Sequence, residues 1–434
     1  MKRILLENLK EWKEKKDRKP LILQGARQVG KTWLLQEFGR QCFDDVCYIN
    51  FERNAPINQS FEGVLDPRRI IHELSLHHGR TIQPQKTLII FDEIQEVPRA
   101  LTSLKYFCEE TPEYAICCAG SQLGVALHEG TSFPVGKVEF LHLRPMSFRE
   151  FLIASDKENL ANHILDGNLD VKGFDDELQQ LLKTYFIVGG MPAAVSKWIE
   201  TNDFFAADRV LANLSKSYLD DFSKHAPQRI VEKLRYVWTS IPSQLARENK
   251  KFVFGLVREG ARAREYEEAL MWLSDMGLII RSYCIEKPGL PLQSYEDLKS
   301  FKIYLLDVGL LRHMSGLSPK VLLEGSRVFE EFKGALTEQY TMQELILHPN
   351  FSANHYWTSS GKAELDFVFS DGLNVYPLEA KSDINVKAKS LKIYDENYSP
   401  KQIFISSLRP YHRKDRLTYI PLYMLFALPL CIGE

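Results

Sequence analysis

Three stretches of the sequence carry residue types whose spacing can do chemistry. The first is GARQVGKT, Gly25 to Thr32, which fits G-x-x-x-x-G-K-[ST]. Gly25 and Gly30 let the backbone curl, so that the N–H groups of Ala26, Arg27, Gln28 and Val29 can face a polyphosphate. Lys31 can reach terminal phosphates, and the Thr32 hydroxyl suits a magnesium ion. The second stretch, TLIIFDE at 87–93, ends in Asp92 and Glu93. Downstream of a phosphate loop, Asp92 would hold magnesium through water and Glu93 would polarise the attacking water as general base. The third is ELDFVFSDGLNVYPLEAK at 364–381, with Asp366, Glu379 and Lys381. Two carboxylates and the Ala380 carbonyl can hold a magnesium ion, with Lys381 offsetting phosphate charge or acidifying a water.

Each stretch needs elements to position it. Leu21–Leu23 reads as a strand before the glycine loop, and WLLQEFGRQ reads as the helix after it. That helix would aim its positive end at the phosphates. Leu88 to Phe91 form a continuous apolar run, the mark of a strand buried on both faces of a parallel sheet. A further apolar strand, Tyr114–Ala119, ends in Gly120, Ser121 and Gln122. In the third stretch, the turn signal Asp371-Gly372 divides two strands. Alternation puts Glu364 and Asp366 on one face of the first strand, and Glu379 and Lys381 on one face of the second. The helix EEFKGALTEQYTMQEL offers Glu338 to the same cleft, and Lys387, Lys389 and Lys392 follow downstream. The rival reading is an ordinary hairpin with charges on its wet face. Pro377 favours that rival, because proline removes a ladder donor from a strand that should be central.

Composition sets the frame. A chain of 434 residues allows two to four domains. With 44% hydrophobic and 26% charged residues, each can bury a core. A net charge of −2 excludes a chain-wide basic footprint, so nucleic-acid binding would be local. The seven cysteines are odd in number and none are in CxxC spacing, which points to reduced, cytoplasmic thiols. His72, His77 and His78 lack an acidic partner set and read as solvated helix residues. The apolar run Tyr419–Ile432 is too short to span a bilayer, contains Pro421 and Pro429, and reads as a core strand plus tail.

The strings GARQVGKT, FDEIQEVP, AGSQLG and FPVGKVEFLHLRPMSFREFL, with YFIVGGMPAAV and FKIYLLDVGLL later on, resemble one family of bacterial and archaeal proteins. These are AAA-superfamily P-loop ATPases with a C-terminal domain of unknown function, and the likeness spans nearly the whole chain. It implies binding and hydrolysis of ATP with Mg2+, and a γ-phosphate-sensing role for Ser121. Where relatives carry Gly-Arg, this chain has Gly136-Lys137, and no arginine finger is assigned. The pattern Glu338, Asp366, Glu379-x-Lys381 is similar to restriction-endonuclease-like, PD-(D/E)xK nucleases.

Between these ends, 151–225 reads as helices and is expected to form a lid on the nucleotide domain. Residues 226–310 resemble a winged helix. Arg247, Lys250, Lys251, Arg258, Arg262 and Arg264 could grip nucleic acid, whereas Glu265, Glu267, Glu268 and Asp275 suit internal packing better. The expected architecture is α/β: a P-loop ATPase domain at 1–150, the lid at 151–225, the winged-helix module at 226–310, and a nuclease-like α/β domain at 311–434. The expected partners are ATP and DNA or RNA, with no membrane. The rival is a nucleotide-gated switch whose C-terminal domain binds a protein partner and cuts nothing.

Overall fold

The computed structural model describes every residue except 54, 121–132, 248–249, 325–326, 360–362, 384–388 and 434. Ser121 and Lys387 lie outside the described residues. The chain divides into two units, one of residues 2–144 with 275–277 and the other of 145–274 with 278–434.

The first unit is built on a five-stranded sheet. Its strands are β1 (Leu21–Gln24), β2 (Asp45–Asn50), β3 (Thr87–Asp92), β4 (Ala115–Ala119) and β5 (Glu139–His142), in the order β2-β3-β4-β1-β5. All its pairings are parallel. Thr87–Asp92 is buried at every position, as a strand covered on both faces must be. One face packs on Phe51, Phe61, Ile70, Leu74, Leu104 and Phe107. Because β4 lies between β1 and β3, the ends of all three strands form one row.

The second unit holds an eight-stranded mixed sheet. It comprises β6 (Ile279–Ile285), β7 (Glu296–Leu305), β8 (Ser352–Thr358), β9 (Glu364–Ser370), β10 (Val375–Ala380), β11 (Ile403–Ser407), β12 (His412–Lys414) and β13 (Leu417–Pro421). The order is β12-β13-β11-β10-β9-β8-β6-β7. The sheet crosses the boundary expected at 310/311, because β6 pairs with β8 in parallel. Residues 226–310 therefore do not close a domain of their own. Three helices (Gln228–Leu245, Phe254–Val257, Ala263–Asp275) precede the β6/β7 pair, which is the order of a winged helix. Here the pair continues a large sheet instead of standing as a free wing.

The helices expected as a lid group with this second unit, and buried polar contacts explain why. The Asp307 carboxylate accepts from Gly190 N–H at 2.6 Å, and Arg312 donates to the Ile187 carbonyl at 2.9 Å. Glu344 accepts from Phe148 N–H at 2.8 Å, and Gln343 donates to the Tyr185 hydroxyl at 2.7 Å. Thus YFIVGGMPAAV and YLLDVGLL, far apart in sequence, are one packing contact. A Cβ on Gly190 would sit 2.1 Å from the Met146 carbonyl oxygen. Replacing Gly190 by Ala should therefore cost about 2–3 kcal/mol, as overpacking of a tight site does. A thermal melt within error of the parent would contradict this.

Proline 377 is central after all: β10 lies between β9 and β11. The parallel ladder to β11 starts at Leu378, one residue past the proline, so that ladder needs no donor from it. The run from Tyr419 also differs from expectation. Its strand ends at Pro421, and Leu422–Cys431 is a 3-10 helix with eight buried residues rather than a tail.

Candidate functional site

The glycine loop takes the shape that a phosphate cradle requires. Gly25 has φ 151° and Gly30 has φ 96°, and Gln28 also adopts a positive φ of 66°. A Cβ on Gly25 would fall 2.2 Å from the Leu143 carbonyl oxygen, so only glycine fits that close approach. The helix Lys31–Cys42 starts at once after Gly30. Its open N–H groups and dipole face the loop's concave side. The buried Lys31 ammonium donates to the carbonyls of Gly25 and Ala26, each at 2.9 Å. Burial lowers its pKa to about 8. The Thr32 hydroxyl donates to the Asp92 carboxylate at 2.9 Å, which joins the loop to the end of β3. Glu93 has φ 52°, in the left-handed region that non-glycine residues seldom adopt. Its carboxylate accepts from the Gln95 amide at 2.7 Å.

Two partners escaped the sequence reading. The Tyr48 hydroxyl on β2 donates to the same Asp92 oxygen at 2.6 Å. Arg3 donates to the Val29 carbonyl at 2.7 Å and to the Arg144 carbonyl at 2.6 Å, which fixes the loop from behind. Nothing local marks either residue: parallel register alone brings Tyr48 beside Ile90, two positions short of Asp92. Replacing Tyr48 by Phe removes one of two donors to that oxygen. ATP turnover should fall about fivefold, roughly the 1 kcal/mol of one hydrogen bond. Unchanged kcat would show the contact is idle.

In the second unit, Asp366 on β9 and Glu379 on β10 meet as alternation required. Lys381 lies 2.6 Å from Glu379 and 3.8 Å from Asp366. Asp366 also accepts from Ala380 N–H at 3.0 Å. The wet-face reading is wrong here, since Asp366 is 8% exposed and Glu379 4%. Burial, then mutual repulsion with Asp366, raises Glu379 to about 8. Burial and the nearby Glu338 raise Asp366 too. One buried oxygen of Glu379 has no hydrogen-bond partner, so the pair presents an unmet acceptor where a cation would fit.

Glu338 arrives in the same cluster but faces other charges. It pairs with Lys250 and lies 3.8 Å from Lys302, and these two ammonium groups outweigh burial and lower its pKa. Lys302 on β7 is fully buried, 2.5 Å from Glu364 and 4.9 Å from the Tyr356 ring centroid. Among the described residues, no three His, Cys, Asp or Glu side chains are gathered closely enough to hold one ion. Lys302 had a sequence signal: a lysine inside FKIYLL, a buried strand, needs buried anions. Lys250, expected on a basic surface, is instead drawn into this cluster. Glu267 and Glu268 pair with Arg281 and Arg229 and remain about half exposed. Lys389 and Lys392 start the helix Lys389–Tyr398, and Lys392 pairs with Glu396 at 3.7 Å.

Comparison with known proteins separates the two units. Residues 17–152 match an AAA domain. Residues 179–321 match a domain of unknown function, DUF8612, and residues 333–425 another, DUF4143. No curated protein matches the sequence. Among solved structures, the chain is similar to the Walker-type ATPase PABY2304 of Pyrococcus abyssi, with 16% identity over 71% of this chain and 94% of that one, at TM-score 0.43. It is also similar to the Aeropyrum pernix Orc1 protein in complex with DNA, with 12% identity, 72% and 90% coverage, and TM-score 0.28. For AMPPCP-bound DnaA from Aquifex aeolicus the figures are 16%, 62% and 85%, and 0.30. The glycine loop, the acidic strand end and the family match define the class: residues 17–152 are an AAA-type P-loop domain. No helix among the described residues is long and apolar enough to cross a membrane.

Proposed function

We propose that this chain hydrolyses ATP with Mg2+ in its AAA domain and that its second unit carries a restriction-endonuclease-like site acting on DNA or RNA. Thr32 and Asp92, already joined at 2.9 Å, would hold the magnesium. Lys31 leaves the Gly25 and Ala26 carbonyls for the phosphates. Glu93 takes the proton of the attacking water.

The observation that carries the nucleic-acid half is the junction of Asp366, Glu379 and Lys381 within 4 Å of one ammonium. Its frame supports it. The helix Arg327–Leu345 is followed by the antiparallel run β8, β9, β10, the helix Lys389–Tyr398 and the parallel strand β11. Asp366, Glu379 and the Ala380 carbonyl would hold a divalent ion. When bound, such an ion supplies an acidified water and neutralises phosphate charge. Lys381 stands beside both carboxylates, where it can orient the attacking water. The winged-helix-like helices would offer Arg258, Arg262 and Arg264 to the backbone.

One observation favours a second reading, a nucleotide-gated switch that binds a protein partner: lysines already pair with the carboxylates. The deciding experiment is ATP turnover with and without DNA, RNA and magnesium, alongside strand cleavage in manganese. Stimulation by nucleic acid with Asp366-dependent cleavage is expected. Turnover indifferent to nucleic acid, with no cleavage, would leave the switch.

A further inference from the structure

The carboxylate cluster is served by three ammonium groups, and they are not equivalent. Lys302 is carried by β7, is fully buried, and is fixed between Glu364 and the Tyr356 ring. Lys381 follows β10 directly, and its N–H donates to the Ser406 carbonyl at 2.8 Å. Lys250 alone belongs to a stretch, 250–253, that is neither helix nor strand and leads into the helix Phe254–Val257. Specific contacts hold that segment on the edge strand. Phe252 N–H donates to the Phe301 carbonyl at 2.7 Å, Lys251 donates to the Ser300 hydroxyl at 2.8 Å, and the Phe252 and Phe301 rings stack at 5.2 Å. The Gln244 side chain bridges to both backbone groups of Val253 at 2.9 Å.

Resting on the nuclease-like reading above, we propose that Lys250 is an exchangeable counter-cation. It holds Glu338 in the closed state, and a divalent ion takes its place when the 250–253 segment lifts from β7. Charge balance requires one ammonium to leave when a divalent ion enters, and the placement of Lys250 outside helix and strand makes it the one that can. Ionised Glu338, Glu364, Asp366 and Glu379 exceed Lys250, Lys302 and Lys381 by one negative charge. A divalent ion added to all three ammonium groups would bury a net positive charge, which is costly. With Lys250 withdrawn, two ammonium groups and the ion balance the four carboxylates. Glu338 then becomes the third carboxylate that the ion lacks in the closed state. The orphaned Glu379 oxygen shows where a cation is still wanted. The site is thereby regulated by the 250–253 segment that carries Lys250.

The test is Mn2+ binding to the full-length protein, followed by isothermal titration and by loss of the free-ion electron paramagnetic resonance signal. Lys250→Met, which keeps the aliphatic stem, should bind Mn2+ at least ~10-fold more tightly than the parent, and adding Glu338→Gln should erase the gain. In the parent, Mn2+ should speed amide exchange in 250–257. Equal affinity of parent and Lys250→Met, with binding lost in Asp366→Asn, would overturn the exchange while the metal site stands. No Mn2+ binding even in Lys250→Met and Lys250→Ala, both still folded by circular dichroism, would overturn the metal site and the exchange with it.

Discussion

Replacing Lys31 by Met should weaken ATP binding at least ~100-fold, about 2.8 kcal/mol at 1.4 kcal/mol per decade. Charged hydrogen bonds to phosphate are worth this much when the site is buried. Lys31 is 7% exposed and its ammonium donates to two loop carbonyls, so it can turn to the phosphates without crossing solvent. Methionine keeps the stem and removes only the charge. Unchanged affinity of a fluorescent ATP analogue would remove the P-loop assignment.

The same lysine sets a pH dependence. Its ordinary value is 10.5, and burial lowers it to about 8 in the ligand-free fold. The unfolded chain therefore takes up this proton first as pH falls. The stability contribution of Lys31 is full above 10.5 and is lost as pH falls to about 8. Phosphates beside the ammonium restore its charge, so ATP binding at pH 9 should take up a proton. Titration calorimetry in buffers of differing ionisation enthalpy measures that uptake directly. Zero uptake would mean that Lys31 does not meet the phosphates.

What could be read from sequence follows from how local each signal is. The glycine loop is contiguous, and its function needs only the strand and helix that flank it. Asp92 and Glu93 sit at the end of an apolar run whose burial is self-evident. Alternation in ELDFVF and NVYPLEAK put Asp366 and Glu379 on one face because strand periodicity is two, whatever the rest of the fold does. It could not say whether that face was wet. That depended on the helix Arg327–Leu345, whose buried Glu338, Gln339, Gln343 and Glu344 look like a solvated face in sequence. Gln339 bonds both backbone groups of Leu305, at 2.8 and 2.6 Å, a pairing no spacing rule exposes. The lid and winged-helix boundaries failed for the same reason. Asp307 to Gly190, and β6 to β8, are long-range contacts across the expected cuts. Tyr48, Arg3 and Lys250 reach their sites only through tertiary register.

Glu93→Gln should bind ATP normally and hydrolyse it at least ~100-fold more slowly, the scale of a positioned general base. The argument rests on three features of this residue. It follows Asp92 directly, at the end of a strand buried throughout, so its position along the row of strand ends is set by the sheet. Its backbone is held at φ 52°, a conformation costing of order 1 kcal/mol or more that persists only where surroundings impose it. Its N–H donates to the Asp92 carboxylate at 3.2 Å, and the Gln95 amide fixes its side chain at 2.7 Å. Glutamine has the same size and leaves these elements in place, but it cannot accept a proton. If the change lowers ATP affinity together with turnover, Glu93 is part of the binding surface. If turnover is normal with affinity intact, the base is another residue. Gln95 offers the discriminating control, because its amide donates directly to the Glu93 carboxylate. Gln95→Ala should lower kcat by about fivefold with no change in ATP affinity, as loss of one orienting hydrogen bond of about 1 kcal/mol would. A Gln95→Ala variant with parental kcat, beside a slow Glu93→Gln, would mean that Glu93 is aimed by its backbone alone.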